Sequence, residues 1–277
     1  MPTREQAAAG RTGDGLFDRA GRALLLSDPG AKSAEVAGLL QDVRHGRWCR
    51  DAQAGMVDVR APGRPERPQL VAPGRVPRRG MGSPAGRLAL MHAVAHIEFN
   101  AINLALDAVH RFRDMPDAYY ADWLQVADEE CRHFAMVRAY LQAHGADYGD
   151  YPAHDGLWEM AVNTADDVLV RMALVPRVLE ARGLDVTPGM IDRLRQAGDG
   201  EAAGVLTVIY AEEVGHVASG TRWFRHLCDG RGLEPASTFF DLLGRHFPDG
   251  LHGPYNLPAR RVAGFSEREI AILTEGL

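Results

Sequence analysis

The amino-acid sequence predicts an all-α fold with four long helices at its centre. Apolar residues recur at helical spacing through four long stretches, and no segment sustains the every-second-residue alternation of a half-buried strand. Proline and glycine gather between those stretches, where they break helices and supply turns. With 277 residues, 46% of them hydrophobic and 25% charged, the chain has the composition of a globular protein with a substantial core.

In order along the chain, Leu16 to Leu26 and Lys32 to Arg47 read as two short helices, the second broken at Gly46. From Trp48 to Gly82 the character changes. Pro62, Pro65, Pro68, Pro73 and Pro77 exclude a long helix and predict an extended arm over the helical core. Between Arg44 and Arg87 the arginines Arg44, Arg47, Arg50, Arg60, Arg64, Arg67, Arg75, Arg78, Arg79 and Arg87 face only Asp51, Asp58 and Glu66. The plain reading is a tether whose arginines pair with surface acids. The sharper one is a basic grip for an anionic partner such as RNA.

Ser83-Pro84 starts the first long helix, serine as N-cap and proline in the first turn. It runs to about Arg113 on a stripe of Met91, Ala95, Ile102, Ala105 and Val109, until Asp114-Met115-Pro116 stops it. The second runs from about Asp117 to His144 and ends at Gly145, followed by a loop from Tyr148 to Gly156. The third covers about Leu157 to Arg182, with Gly183 and Thr187-Pro188 as its break. A short helix from Pro188 to Gln196 leads through Gly198-Asp199-Gly200 into the fourth, from Glu201 to about Asp229. The tail carries a helix from Glu234 to about His246, a Pro/Gly-rich stretch and a last short helix from Ser266. The expected organisation is an arm over 1–83, a bundle over 84–230 and a packed tail over 231–277.

Several function classes drop out early. No apolar run approaches the roughly 20 residues of a membrane span, and the polar N-terminus lacks the apolar core of a secretory signal. Cys49, Cys131 and Cys228 are odd in number and widely spaced, which argues against a disulfide framework or a thiolate zinc site. Cytoplasm is the expected location. A net charge of −6 makes no global case for nucleic acid.

The chemistry lies in acids that interrupt the apolar stripes. Glu130-Cys131-Arg132-His133 and Glu213-Val214-Gly215-His216 are both Glu-x-x-His, which puts carboxylate and imidazole on one helix face. Trp123, Val126, Val137 and Leu141 share the first face; Leu206, Ile209, Val217 and Phe224 share the second. A buried carboxylate is costly unless paired or metal-bound. Glu98 precedes Glu130 by 32 residues and Glu180 precedes Glu213 by 33, while the two motifs stand 83 apart, a rough internal duplication. Folding the first pair at Asp114 brings Glu98 and Glu130 level, about 24 Å from the turn.

Ferritin-like di-iron and di-manganese bundles use one Glu from each of two helices and Glu-x-x-His from the other two. Here that set is Glu98, Glu130, His133, Glu180, Glu213 and His216. Four carboxylates neutralise two divalent ions and bridge them, and one imidazole per metal suits iron, with manganese as the alternative. A lone Glu-x-x-His is commonplace on helix surfaces. Two on apolar stripes, each preceded by a core-facing Glu at matching distance, are not. Glu180 stands within a turn of the expected break, so Glu159, Asp166 and Asp167 remain substitutes from the same helix. Glu129 and Glu212 are either supports for the imidazoles or solvated acids. Tyr140 and Tyr210 read as core tyrosines, and His92 and His96 point away from Glu98.

At Glu98, Asp128 to His133, Pro176 to Asp185 and Glu212 to His216, the chain resembles a bacterial ferritin-like family, domain of unknown function 455. The resemblance extends to Gly63 to Pro68 and Val76 to Gly80 in the arm, and to Pro254-Tyr255-Asn256 and Arg260 to Phe265 in the tail. It implies a ferritin-like bundle with a di-iron-type site and supports Glu180 as a ligand. The family looks distantly related to di-iron tRNA-modifying hydroxylases but carries no reaction across. The resulting expectation is a di-metal oxidoreductase that activates O2 to oxidise a small-molecule substrate. Iron capture or peroxide destruction without an organic substrate is the second reading. RNA-directed hydroxylation is the third.

Overall fold

A computed structural model describes residues 15–50, 59–76 and 80–275, and among these there is no strand. The helices are α1 (Leu16–Leu25), α2 (Pro29–Arg44), α3 (Pro84–Arg111), α4 (Asp117–Ala143), α5 (Gly156–Asn163), α6 (Val168–Leu174), α7 (Ala181–Gln196), α8 (Gly200–Gly230), α9 (Pro235–His246), α10 (Leu257–Val262) and α11 (Glu267–Glu275). A π turn, Val175–Glu180, joins α6 to α7. None of these helices is long and apolar enough to cross a membrane.

Local chemistry sets the ends. Asp28 caps α2 by accepting from the Ala31 N–H at 2.7 Å, with Pro29 at the first helical position. Asp199 caps α8 through the Ala202 N–H, 3.1 Å away. Gly145 and Gly198 take φ of +76° and +78° after α4 and α7, the left-handed conformation that ends helices.

The described residues form two compact units. The first holds 15–50, 59–76 and 92–158. In it α2 packs on α1 and α4, around buried Phe17, Leu40, Leu106, Trp123 and Val137. Lys32, the single lysine of the chain, is fully buried; its amine donates to the Leu24 carbonyl (2.9 Å) and the Asn103 side chain.

Of the proline-rich arm, 51–58 and 77–79 lie outside the described residues, as do 1–14 at the N-terminus. The described part is extended apart from a 3-10 turn, Pro73–Arg75, and it pairs with Ala153 through Val71 N–H (2.8 Å) and Gln69 C=O (3.1 Å). Arg50 reaches Asp117 at 2.7 Å and Arg64 reaches Asp155 at 3.1 Å, the pairing a tether makes.

The second unit holds 80–91 and 159–275. Here the structure corrects the expected third helix. The chain breaks at 164–167, where Asp167 caps α6, and then runs helically from Val168 through the π turn to Gln196 without stopping at Gly183 or Pro188. The reason is tertiary. Pro188 cannot donate to the carbonyl of Leu184, and the side-chain amide of Asn256 in the tail donates to it instead, at 3.1 Å. The proposed short helix from Pro188 is therefore the second half of α7. α7 lies along α8, and α9, α10 and α11 follow; α10 was not anticipated.

Candidate metal centre

In the first unit, the α3–α4 hairpin turns at Asp114 and brings Glu98 of α3 to Glu130 and His133 of α4. His133 Nδ1 lies 3.2 Å from Glu130 Oε2 and 3.3 Å from Glu98 Oε2. Each of the three offers a ligand atom, all within 4.8 Å of one another. Glu98 is 3% exposed, and Glu130 and His133 are fully buried. Burial by itself pushes the His133 pKa down, but hydrogen bonds and charge from Glu130 and Glu98 outweigh it and raise it to about 10. The proton that imidazole retains plays the part of a cation between two carboxylates. A divalent ion would displace it and meet one nitrogen and two carboxylate oxygens, a donor set that suits iron or manganese.

The neighbours do not compete for that role. Burial pushes the Cys131 thiol up to about 11, so it stays protonated beside Glu130 and offers no thiolate. His92 accepts from the Gly149 N–H at 2.8 Å and stacks on Tyr148, while His96 meets the Tyr148 hydroxyl at 2.9 Å. Neither is a ligand candidate, as their helical phase predicts. Glu129 accepts from Gln125 at 2.7 Å.

The second unit carries the same residue types, Glu180, Glu213 and His216. His216 is 1% exposed, with Nδ1 3.5 Å from Glu213 Oε1 one turn earlier on α8. Glu180 is half-buried and closes the π turn, where the Ala181 N–H reaches back five residues to the Pro176 carbonyl. The widened turn accommodates Pro176, whose ring would crowd the carbonyl four residues back in an α turn. The substitutes for Glu180 fall away: Glu159 and Asp166 are exposed, and Asp167 caps α6 and pairs with Arg231 at 2.7 Å.

With α7 unbroken, the second hairpin has the sequence spacing of the first. Glu180 precedes Gln196 by 16 residues and Glu213 follows Ala197 by 16, while Glu98 and Glu130 stand 16 either side of Asp114. Tyr210, one turn before Glu213, bonds the Asn256 amide at 2.9 Å, so its hydroxyl is satisfied by the tail.

A family model described as "Protein of unknown function (DUF455)" matches residues 25–271. A relative from Haemophilus influenzae, described as an uncharacterized protein, is 47% identical over 213 residues, 74% of each chain. No solved structure matches.

Proposed function

We propose that this chain, which belongs to the DUF455 family of proteins of unknown function, is a di-metal carboxylate oxidoreductase of ferritin-like architecture. Iron is the metal in this reading, with manganese as the alternative. The observation that carries this reading is the buried trio Glu98, Glu130 and His133, two carboxylates held against one imidazole inside an apolar core. The repeat of the same residue types at the same hairpin spacing, Glu180, Glu213 and His216, supports a second ion.

In this reading Glu98, Glu130, Glu180 and Glu213 hold and neutralise two divalent ions, and His133 and His216 give each ion one nitrogen. Bound ions of this kind supply electrons to dioxygen and polarise what lies between them. The surrounding apolar side chains, Phe99 and Phe134 among them, exclude water and confine oxidation to what enters. His133 would have to be neutral to serve as a ligand, so metal binding would release its proton. The substrate is a small molecule, or O2 or peroxide alone.

The test is anaerobic reconstitution with Fe(II), metal analysis, then exposure to O2 with the near-ultraviolet and visible spectrum followed. Two ions per chain and a new charge-transfer band support the reading. Fewer than one ion per chain removes it; two ions without an O2 response leave a binding protein in place of an oxidoreductase.

A further inference from the structure

Two buried ion pairs flank Glu180, and the tail supplies one member of each. Three residues before it, the fully buried Arg177 guanidinium donates to Glu269 of α11 and to the Thr221 hydroxyl of α8, the latter at 3.3 Å. The rings of Phe224, Phe239 and Phe265 enclose that guanidinium at 4.6, 4.2 and 4.5 Å. Five residues after Glu180, Asp185 accepts a bidentate pair from Arg260 of α10 at 3.0 and 2.7 Å. The ring of Phe265 lies 5.0 Å from Arg260 too, so one aromatic side chain joins both pairs.

The acceptor for Arg177 is set in advance. Glu269 Oε2 accepts from the Ser266 N–H (2.8 Å) and hydroxyl (2.9 Å), while Ser266 Oγ accepts from the Glu269 N–H (3.3 Å). That is a capping box at the start of α11, and it leaves Oε1 for the guanidinium.

Buried pairs like these are weak sources of stability, because desolvation offsets their attraction; their best-attested use is to specify register. The register at stake here is that of the π turn. Relaxing it to an α turn shifts the helix by one residue, about 100° of rotation, and carries Glu180 off its face. A cation on one side of Glu180 and an anion on the other, each with a fixed partner, are satisfied together in one register only.

We infer that Arg177–Glu269 and Asp185–Arg260 form a two-point clamp by which the C-terminal tail holds the π turn and positions Glu180 as a ligand of the second ion. This rests on the di-metal reading above. These four are positioning residues, and their signature is selective loss of one ion from a chain that still folds.

The test titrates the metal-free full-length chain with Mn(II), reading unbound ion by electron paramagnetic resonance and following the thermal melt of the metal-free form in parallel. Glu269→Gln keeps the capping box but removes the charge facing Arg177. The double variant Arg177→Met with Glu269→Gln also removes the stranded cation and protects folding. Glu267→Gln, which breaks the exposed Arg261–Glu267 pair (2.7 Å), is the control. The double variant is expected to hold one ion as the wild type does and the other about 10–100-fold more weakly, with its melt intact and the control unchanged. Two ions at wild-type affinity in the double variant, or equal loss in the control, overturn the clamp alone. A wild-type chain that takes up no ion overturns the di-metal reading and the clamp with it.

Discussion

Gly220 of α8 packs closely against Pro176 of the π turn, and replacing it tests whether that contact matters. A Cβ at Gly220 would lie 2.3 Å from both Cβ and Cγ of Pro176. Ordinary contact begins near 3.4 Å, so the helices must part by about an ångström. The proline ring cannot swing aside, because it is tied to the backbone of the turn. Overpacking of this kind costs about 1–3 kcal/mol, against about 1 kcal/mol gained by alanine over glycine inside a helix. Gly220→Ala should therefore be neutral to about 2 kcal/mol less stable. Gly204→Ala on the same helix, where nothing lies within 4 Å, should be about 0.5–1 kcal/mol more stable. Urea denaturation of the metal-free chain, compared at equal slope, reads the difference as a midpoint that rises for Gly204→Ala and does not rise for Gly220→Ala. Gly220→Ala is also expected to weaken the second ion, since Glu180 closes the turn being pushed. Equal stabilisation by the two substitutions would refute the close-contact argument.

Asn256→Ala should cost about 1–3 kcal/mol, because the Leu184 carbonyl below Pro188 and the Tyr210 hydroxyl both lose a partner; a thermal melt no lower than wild type would count against it. The hydrogen bond from Arg138 holds the Asp147 carboxyl down at about 2, below its ordinary 3.8. The folded pKa is the lower one, so the pair's contribution is complete above about pH 4 and is lost as pH falls through about 2. Arg138→Met should flatten stability over that window, modestly because the Asp147 side chain is 38% exposed; a wild-type slope in the variant argues the reverse. Burial lowers the Lys32 amine from 10.5 to about 7. Between those values the unfolded chain keeps a proton that the folded chain has released, so stability rises with pH from about 7 to 10.5. Urea midpoints of Lys32→Met across that range should lose the rise, and a persisting rise would assign it to another group.

The sequence by itself determined the helices whose signals are local. Apolar periodicity, Ser83-Pro84, the Asp114-Met115-Pro116 stop, Gly145 and Gly198 are read by the backbone within a few residues, so α3, α4 and α8 fall close to where the pattern puts them. It also singled out Glu98, Glu130, His133, Glu180, Glu213 and His216 as candidates, because a carboxylate on an apolar stripe demands a partner, and hairpin spacing names one. The continuity of α7 was beyond its reach. Gly183 and Thr187-Pro188 are genuine local breakers, and the helix passes through them because Asn256, far along the chain, satisfies the carbonyl that Pro188 abandons. The π turn is likewise a tertiary decision: Pro176 strains an α turn, and Arg177, Gly220 and the tail's Glu269 settle which wider turn replaces it. Propensity acts over one turn of helix, whereas the partners that overrule it here lie from 44 to 92 residues away.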